Sequence, residues 1–183
     1  PDDVKKEILA LARDLPKEGR ITYGSKDMEP FRDRVDKIVQ MLLATDARAR
    51  RANRRFYRAL AGRAREIKSH SQLDEKNTPV FDEIRADYKR RQGNLVLKLA
   101  KFIKPEYYEN TRKRKANDNK LKRSLGISRR NTGRAIKKFL SSFGQESEYI
   151  ERDFYHRLQE IEEEMEREHK KQDAAASGNG EIK

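Results

Sequence analysis

A row of eight arginines occupies one short stretch of the chain, with no acidic residue among them. The row consists of Arg48, Arg50, Arg51, Arg54, Arg55, Arg58, Arg63 and Arg65. A guanidinium group offers a planar fork of N–H donors that matches the oxygens of a phosphate. Eight such groups on one helix repel one another, because few carboxylates stand at i, i+4 to offset them. The row therefore predicts a surface that binds nucleic acid, with phosphate contacts from Arg48, Arg50, Arg51, Arg54, Arg55, Arg58 and Arg65.

Two other interpretations of the arginine row remain open at this point. The row could be a solvated face, or it could pair with acidic residues elsewhere in the chain. Residues 46–138 carry 29 basic and 10 acidic side chains, whereas residues 139–183 carry 6 and 12. The acidic C-terminal part could therefore cover the basic middle.

A second basic cluster lies between residues 112 and 138, where only Asp118 opposes it. Together the two clusters could contact several phosphates, and binding would then weaken steeply with salt. An unstructured basic linker over 111–123 is the alternative. Within the cluster we predict nucleic-acid contacts from Lys113, Arg114, Arg129, Arg130, Asn131 and Arg134.

Residues 125–136 resemble the turn and recognition helix of a helix-turn-helix motif. The turn would be Gly126-Ile127-Ser128, and the helix after it would present the arginines and Asn131. Such side chains can read guanine and adenine edges in the major groove. However, Lys122 stands where the motif has a small residue, and Gly133 weakens a helix. A plain capped helix with basic residues is therefore favoured.

Signatures of catalysis are missing from the sequence. It has no phosphate loop and no His-Glu-x-x-His pair, and its cysteine count is 0. The three histidines, His70, His156 and His169, are far apart. The glutamates over 162–168 indicate a solvated acidic helix. We expect no metal, no cofactor and no catalytic residue, so the chain is not expected to be an enzyme by itself.

The composition indicates a helical protein with a thin core. Hydrophobic residues make up 34% of the chain, charged residues 41%, and the net charge is +13. No apolar run approaches the roughly 20 residues that cross a bilayer, and the acidic start Pro1-Asp2-Asp3 is unlike a signal peptide. We expect no membrane insertion and a cytoplasmic location.

Apolar residues at helical spacing predict an all-α bundle with a long C-terminal acidic helix and a disordered tail. Helices are expected over 2–15, from Asp27 through Leu43, over 46–68, from Thr78-Pro79 to about 104, and over 129–143, with Gly144 ending the last of these. The predicted parts are a bundle core over 1–104, a basic helical segment over 105–143, an acidic amphipathic helix over 144–172 and a disordered tail over 173–183.

The acidic helix supports a different function. Its apolar stripe, formed by Ile150, Phe154, Leu158, Ile161 and Met165, could pair with another helix. The chain would then be a protein-interaction scaffold that self-associates or docks on a partner. A basic RNA-binding module is a further alternative, because charge alone does not separate RNA from DNA.

Two segments resemble a known family. The first contains Leu15-Pro16, Gly19-Arg20, Tyr23-Gly24-Ser25-Lys26, Met28, Phe31-Arg32 and Val35-Asp36-Lys37-Ile38. The second is Tyr88-Lys89-Arg90-Arg91-Gln92-Gly93-Asn94-Leu95-Val96-Leu97-Lys98, with Gln92 where a leucine is expected. The first resembles the region after the nuclease domain in MobL-type relaxases, which mobilise plasmids and other conjugative elements. The second resembles the Arg-Leu-Gly-Asn segment near the helical end of that family.

The resemblance covers roughly residues 1–104 and implies a role in conjugative DNA mobilisation. The histidines with which such enzymes bind a metal and nick DNA have no match here. The chain would be a helical region downstream of the catalytic domain, which grips DNA or contacts the transfer machinery. This favours DNA over RNA as the partner.

Overall fold

The structure is a computed structural model that describes residues 2–16, 22–69, 74–103 and 132–178. Within these ranges the chain is helical and contains no β-strand. The described ranges contain five α-helices, which are α1 (Asp2–Asp14), α2 (Arg32–Thr45), α3 (Ala47–Ser69), α4 (Asp74–Ile103) and α5 (Thr132–Gly178), and a short 3-10 helix, Lys26–Phe31, precedes α2. The predicted all-α bundle with a long C-terminal acidic helix is confirmed.

Among the residues that the structure describes, the buried apolar side chains form two clusters. The larger cluster joins α1, α2, the second half of α4 and the start of α5. Its members include Val4, Ile8, Leu11, Val35, Ile38, Leu42, Val96, Leu99, Phe139 and Phe143. The apolar residues at helical spacing in α1 and α2 form its centre, as expected when a helix buries one face.

The second cluster, here called the aromatic cluster, joins α3, the first half of α4 and the middle of α5. The rings of Phe56 and Tyr88 stack with centroids 3.8 Å apart. The ring of Phe154 meets both of them edge-on, at 5.8 and 5.6 Å. Because each of the three rings comes from a different helix, the cluster fixes how α3, α4 and α5 face one another.

Ion pairs along the helices show their directions. On α3, Arg48, Arg55 and Arg63 pair with successively later glutamates of α5, so these two helices run the same way. On α4, Arg91 pairs with Asp153 and Glu83 with Arg157, so α4 runs opposite to α5.

Gly144 does not end a helix as its sequence position suggested. α5 continues through it without interruption from Thr132 to Gly178. A β-carbon at Gly144 would lie 2.9 Å from Cβ of Arg48 and 3.1 Å from Cγ of Asp46. The glycine therefore lets α5 pack closely against the start of α3, and this contact outweighs its low helix propensity.

α5 is also part of the bundle core and not an appendage to it. Phe139 and Phe143 belong to the larger cluster, and Phe154 and Leu158 belong to the aromatic cluster. The helix extends six residues into the segment predicted as a tail, and residues 179–183 lie outside the described residues.

Two prolines lie at other positions in their helices than the sequence predicted. α4 begins at Asp74, so Pro79 lies inside the helix and does not start it. Before α2, the residues from Lys26 form a 3-10 helix that contains Pro30. Proline has no backbone N–H to donate, which favours the 3-10 segment over a continuous α-helix at Pro30, whereas α4 continues through Pro79 without that hydrogen bond.

The two segments that carry the family resemblance lie against each other. The backbone N–H of Tyr23 donates to Oδ1 of Asn94 at 2.8 Å. The guanidinium of Arg32 donates from Nε to the carbonyl oxygen of Tyr23 at 3.3 Å, and the Tyr23 hydroxyl donates to Asp36. The loop before the 3-10 helix is thus tied to both α4 and α2.

Candidate nucleic-acid interface

The start of α3 is set by a side-chain cap. Oδ1 of Asp46 accepts hydrogen bonds from the backbone N–H groups of Arg48 and Ala49, at 2.9 and 2.8 Å. This is the expected role of an aspartate at a helix N-terminus. Behind the cap, Ala52 and Phe56 are fully buried. Cap and core together fix the rotation of α3, and hence the direction in which each arginine points.

Three arginines of α3 lie on the side that faces α5 and pair with its carboxylates. Arg48 lies 3.8 Å from Glu148, and Arg55 lies 3.7 Å from Glu148 and 3.2 Å from Glu151. Arg63 pairs with Glu162 and with Glu66 on its own helix. For these three arginines, the intramolecular pairing that the sequence left open is what the structure shows.

The other five arginines of the row are exposed and form no ion pair within the described part of the chain. They are Arg50, Arg51, Arg54, Arg58 and Arg65. Successive residues of an α-helix are rotated by about 100°, which places all five within an arc of about 100° opposite the buried side. This set is called the outer arginine face. It extends about 22 Å along the helix axis, at about 1.5 Å per residue.

The second predicted cluster falls mostly outside the described residues. This applies to Lys113, Arg114, Arg129, Arg130 and Asn131, and to the turn of the proposed helix-turn-helix, which stay predictions. Arg134 is described: it is exposed in the first turn of α5, followed by the exposed Lys137 and Lys138.

A solvent-open groove of about 770 Å³ runs between α3 and α5 beside the outer arginine face. Arg58 and Ala59 line it from α3, and Glu151, Arg152 and Tyr155 are among its residues from α5. Sequence reasoning missed this groove, because it is formed by residues almost a hundred positions apart. The sequence held one signal of the groove, because Tyr155 is an aromatic residue that lies beside the apolar stripe of α5 and not on it. In the structure its side chain is 43% exposed.

Glu151 is the buried carboxylate of this groove, with 5% of its surface exposed. Burial raises the pKa of its carboxyl above the ordinary value, because a charge is harder to hold away from water. The guanidinium of Arg55 acts on that pKa in the opposite direction, through its charge and its hydrogen bond. Burial and the nearby Glu151 charge also raise the pKa of the Tyr88 hydroxyl.

The apolar stripe that supported the scaffold alternative is largely occupied within the bundle. Ile150, Phe154 and Leu158 are buried in the aromatic cluster, and Ile161 is partly buried against it. Over the residues described, side chains 166–176 of α5 are all exposed.

Within the described ranges, no three histidine or carboxylate side chains come together as metal ligands would. Nor does any helix there combine the length and the apolar character needed to cross a bilayer. Comparisons with models of protein families, with curated proteins and with solved structures gave no match.

Proposed function

We propose that this chain is a non-catalytic nucleic-acid-binding domain whose outer arginine face grips the phosphate backbone. The observation that carries the proposal is the row of five exposed arginines without a carboxylate partner in the described part of the chain. Their mutual repulsion is relieved when each guanidinium binds a phosphate oxygen, and condensed counterions are released at the same time.

The ion pairs with α5 restrict where a polyanion binds. Glu148, Glu151 and Glu162 neutralise the side of α3 that faces α5, so phosphates are attracted to the outer side. The cap at Asp46 and the aromatic cluster hold α3 rigidly, so little conformational entropy is lost when the face binds. Each strand of the duplex has one phosphate about every 3.4 Å of the duplex axis, so the length of the face corresponds to about six phosphate positions along that axis.

We propose DNA as the nucleic acid, because residues 15–38 and 88–98 resemble the helical region of MobL-type relaxases. On this proposal the chain is the DNA-gripping part of a plasmid mobilisation protein that acts in the cytoplasm. The hydrogen bond between Tyr23 and Asn94 joins the two resembling segments in one folded unit.

The test is a salt series of duplex DNA binding by fluorescence anisotropy. If all five arginines contact phosphates, the logarithm of the affinity should fall with the logarithm of salt at a slope of about −4.5, at roughly −0.9 per contact. Arg50→Gln with Arg54→Gln should reduce that slope by about 2. The matched control is Arg48→Gln with Arg63→Gln, which removes the same charge from the side of α3 that faces α5 and should change the slope little.

Equal effects of the two double variants would show that only net charge matters and would contradict the proposed interface. Circular dichroism of each variant checks that α3 stays folded.

A further inference from the structure

The groove between α3 and α5 combines three kinds of group that a nucleotide would need. Its volume of about 770 Å³ falls within the roughly 300–1,000 Å³ of small-ligand sites. Arg58 belongs both to the groove and to the outer arginine face. A strand bound along that face therefore passes the mouth of the groove.

An aromatic ring and three arginines line the groove, and Arg55 is the arginine that pairs with the carboxylates of α5. The ring of Tyr155 is 43% exposed at its rim, and base–aromatic stacking is the usual way of holding an unpaired base. Arg58 on α3 and Arg152 on α5 are exposed and form no ion pair with any described residue. They can hold a phosphate from both sides of the groove.

The groove also contains carboxylates with spare acceptor capacity. Glu148 forms ion pairs with Arg48 and Arg55 at 3.8 and 3.7 Å, but it accepts no hydrogen bond from the described residues. Glu151 accepts one hydrogen bond, from Arg55 at 3.2 Å. The carboxylates of Glu148 and Glu151 repel a ligand that carries negative charge on every side. A nucleotide instead turns a neutral base towards them and its phosphate towards the arginines.

We infer that this groove binds one unstacked nucleotide of single-stranded DNA, with the base on Tyr155, the phosphate between Arg58 and Arg152, and an exocyclic amino group of the base donating a hydrogen bond to Glu148. The inference rests on the proposed function, because the same strand must lie on the outer arginine face. Two consequences follow. Duplex DNA gains nothing from the groove, because its bases are paired and stacked. Cytosine binds better than thymine, because its amino group is a donor that a glutamate accepts, whereas thymine has a carbonyl there.

The experiment measures binding of the full chain to labelled oligo-dC, oligo-dT and a duplex of equal length by fluorescence anisotropy. Tyr155→Ala should weaken binding of oligo-dC about tenfold and leave the duplex unchanged, while Tyr155→Phe should bind as the unmodified protein does. The control is Tyr149→Ala, since Tyr149 is 58% exposed on the same helix but does not line the groove. Glu148→Ala should remove the preference for oligo-dC over oligo-dT.

The groove and the proposed function fail in different ways. If Tyr155→Ala and Tyr149→Ala bind oligo-dC equally well, while Arg50→Gln with Arg54→Gln still weakens both strand forms, the groove inference alone is overturned. If the protein binds none of the three oligonucleotides, both proposals are overturned.

Discussion

The ring of Tyr23 occupies the space in which a β-carbon on Gly93 would lie. That carbon would be 2.7 Å from Cε2 of Tyr23, well inside van der Waals contact. The ring has little freedom to move away, because the Tyr23 hydroxyl donates to Asp36 and its backbone N–H donates to Asn94. Gly93 is thus a packing residue of α4, where the loop before the 3-10 helix docks.

Gly93→Ala should destabilise the bundle by about 1–3 kcal/mol, the usual cost of overpacking a filled site. Alanine is the better helix former by about 1 kcal/mol, and this gain is included in the net loss. The control is Gly62→Ala in α3, where a β-carbon meets nothing within 4 Å, so that variant should be more stable by about 0.5–1 kcal/mol. Urea denaturation measures both, and a stabilised Gly93→Ala would refute the packing role.

The sequence predicted best the helices whose apolar residues have a clear period. Val4, Ile8 and Leu11 in α1, and Val35 and Ile38 in α2, are buried as expected. The helix end predicted at Gly144 and the helix start predicted at Pro79 were wrong, because the effect of a glycine or a proline on a helix depends on its neighbours in space. Gly144 looks like a helix end in the sequence, yet it is the point where α5 touches α3.

The candidate interface was predictable only in part, for the same physical reason. Composition was enough to single out the arginine row on α3. Which arginines are neutralised depends on α5, whose Glu151 is 96 residues from Arg55, and local spacing carries no information on that pairing. Arg152 and Tyr155 were missed because the groove that they line forms between two helices that are distant in the sequence.

Glu151→Gln should stabilise the protein at neutral pH. Burial raises the pKa of Glu151 above 4.5 in the folded state, so folding favours its protonated form. The stability that this group contributes is therefore full below pH 4.5 and is lost as the pH rises through the raised value. Glutamine imitates the neutral form at every pH. The melting temperature of the variant should exceed that of the unmodified protein at pH 7, and the difference should shrink towards pH 4. A lower melting temperature at pH 7 would mean that the ion pair with Arg55 outweighs burial.

Tyr88→Phe should leave stability unchanged or raise it by about 1 kcal/mol. The Tyr88 hydroxyl is buried and has no hydrogen-bond partner among the described residues, so its removal relieves a desolvation cost. The ring that stacks on Phe56 at 3.8 Å is retained. Phe154→Ala, which removes the third ring of the aromatic cluster, should lower the free energy of unfolding by about 3–5 kcal/mol. If Tyr88→Phe loses more than about 1 kcal/mol, the hydroxyl forms a stabilising hydrogen bond.

Ending the chain after Met165 should leave both the bundle and its DNA affinity intact. Side chains 166–176 are all exposed, whereas Ile161 and Glu162 still contact the aromatic cluster and Arg63. Residues 166–183 contain as many basic as acidic side chains, so their loss does not change the net charge.

The carboxylates that neutralise the arginines of α3, among them Glu148 and Glu151, remain in that shortened chain. The salt slope of duplex binding should therefore stay as it was, and melting temperature and light scattering should match the full chain. A chain that ends at residue 145 should instead unfold in part, because it lacks Ile150, Phe154 and Leu158. A change of oligomeric state at unchanged DNA affinity, on cutting after Met165, would favour a scaffold role for the exposed end of α5.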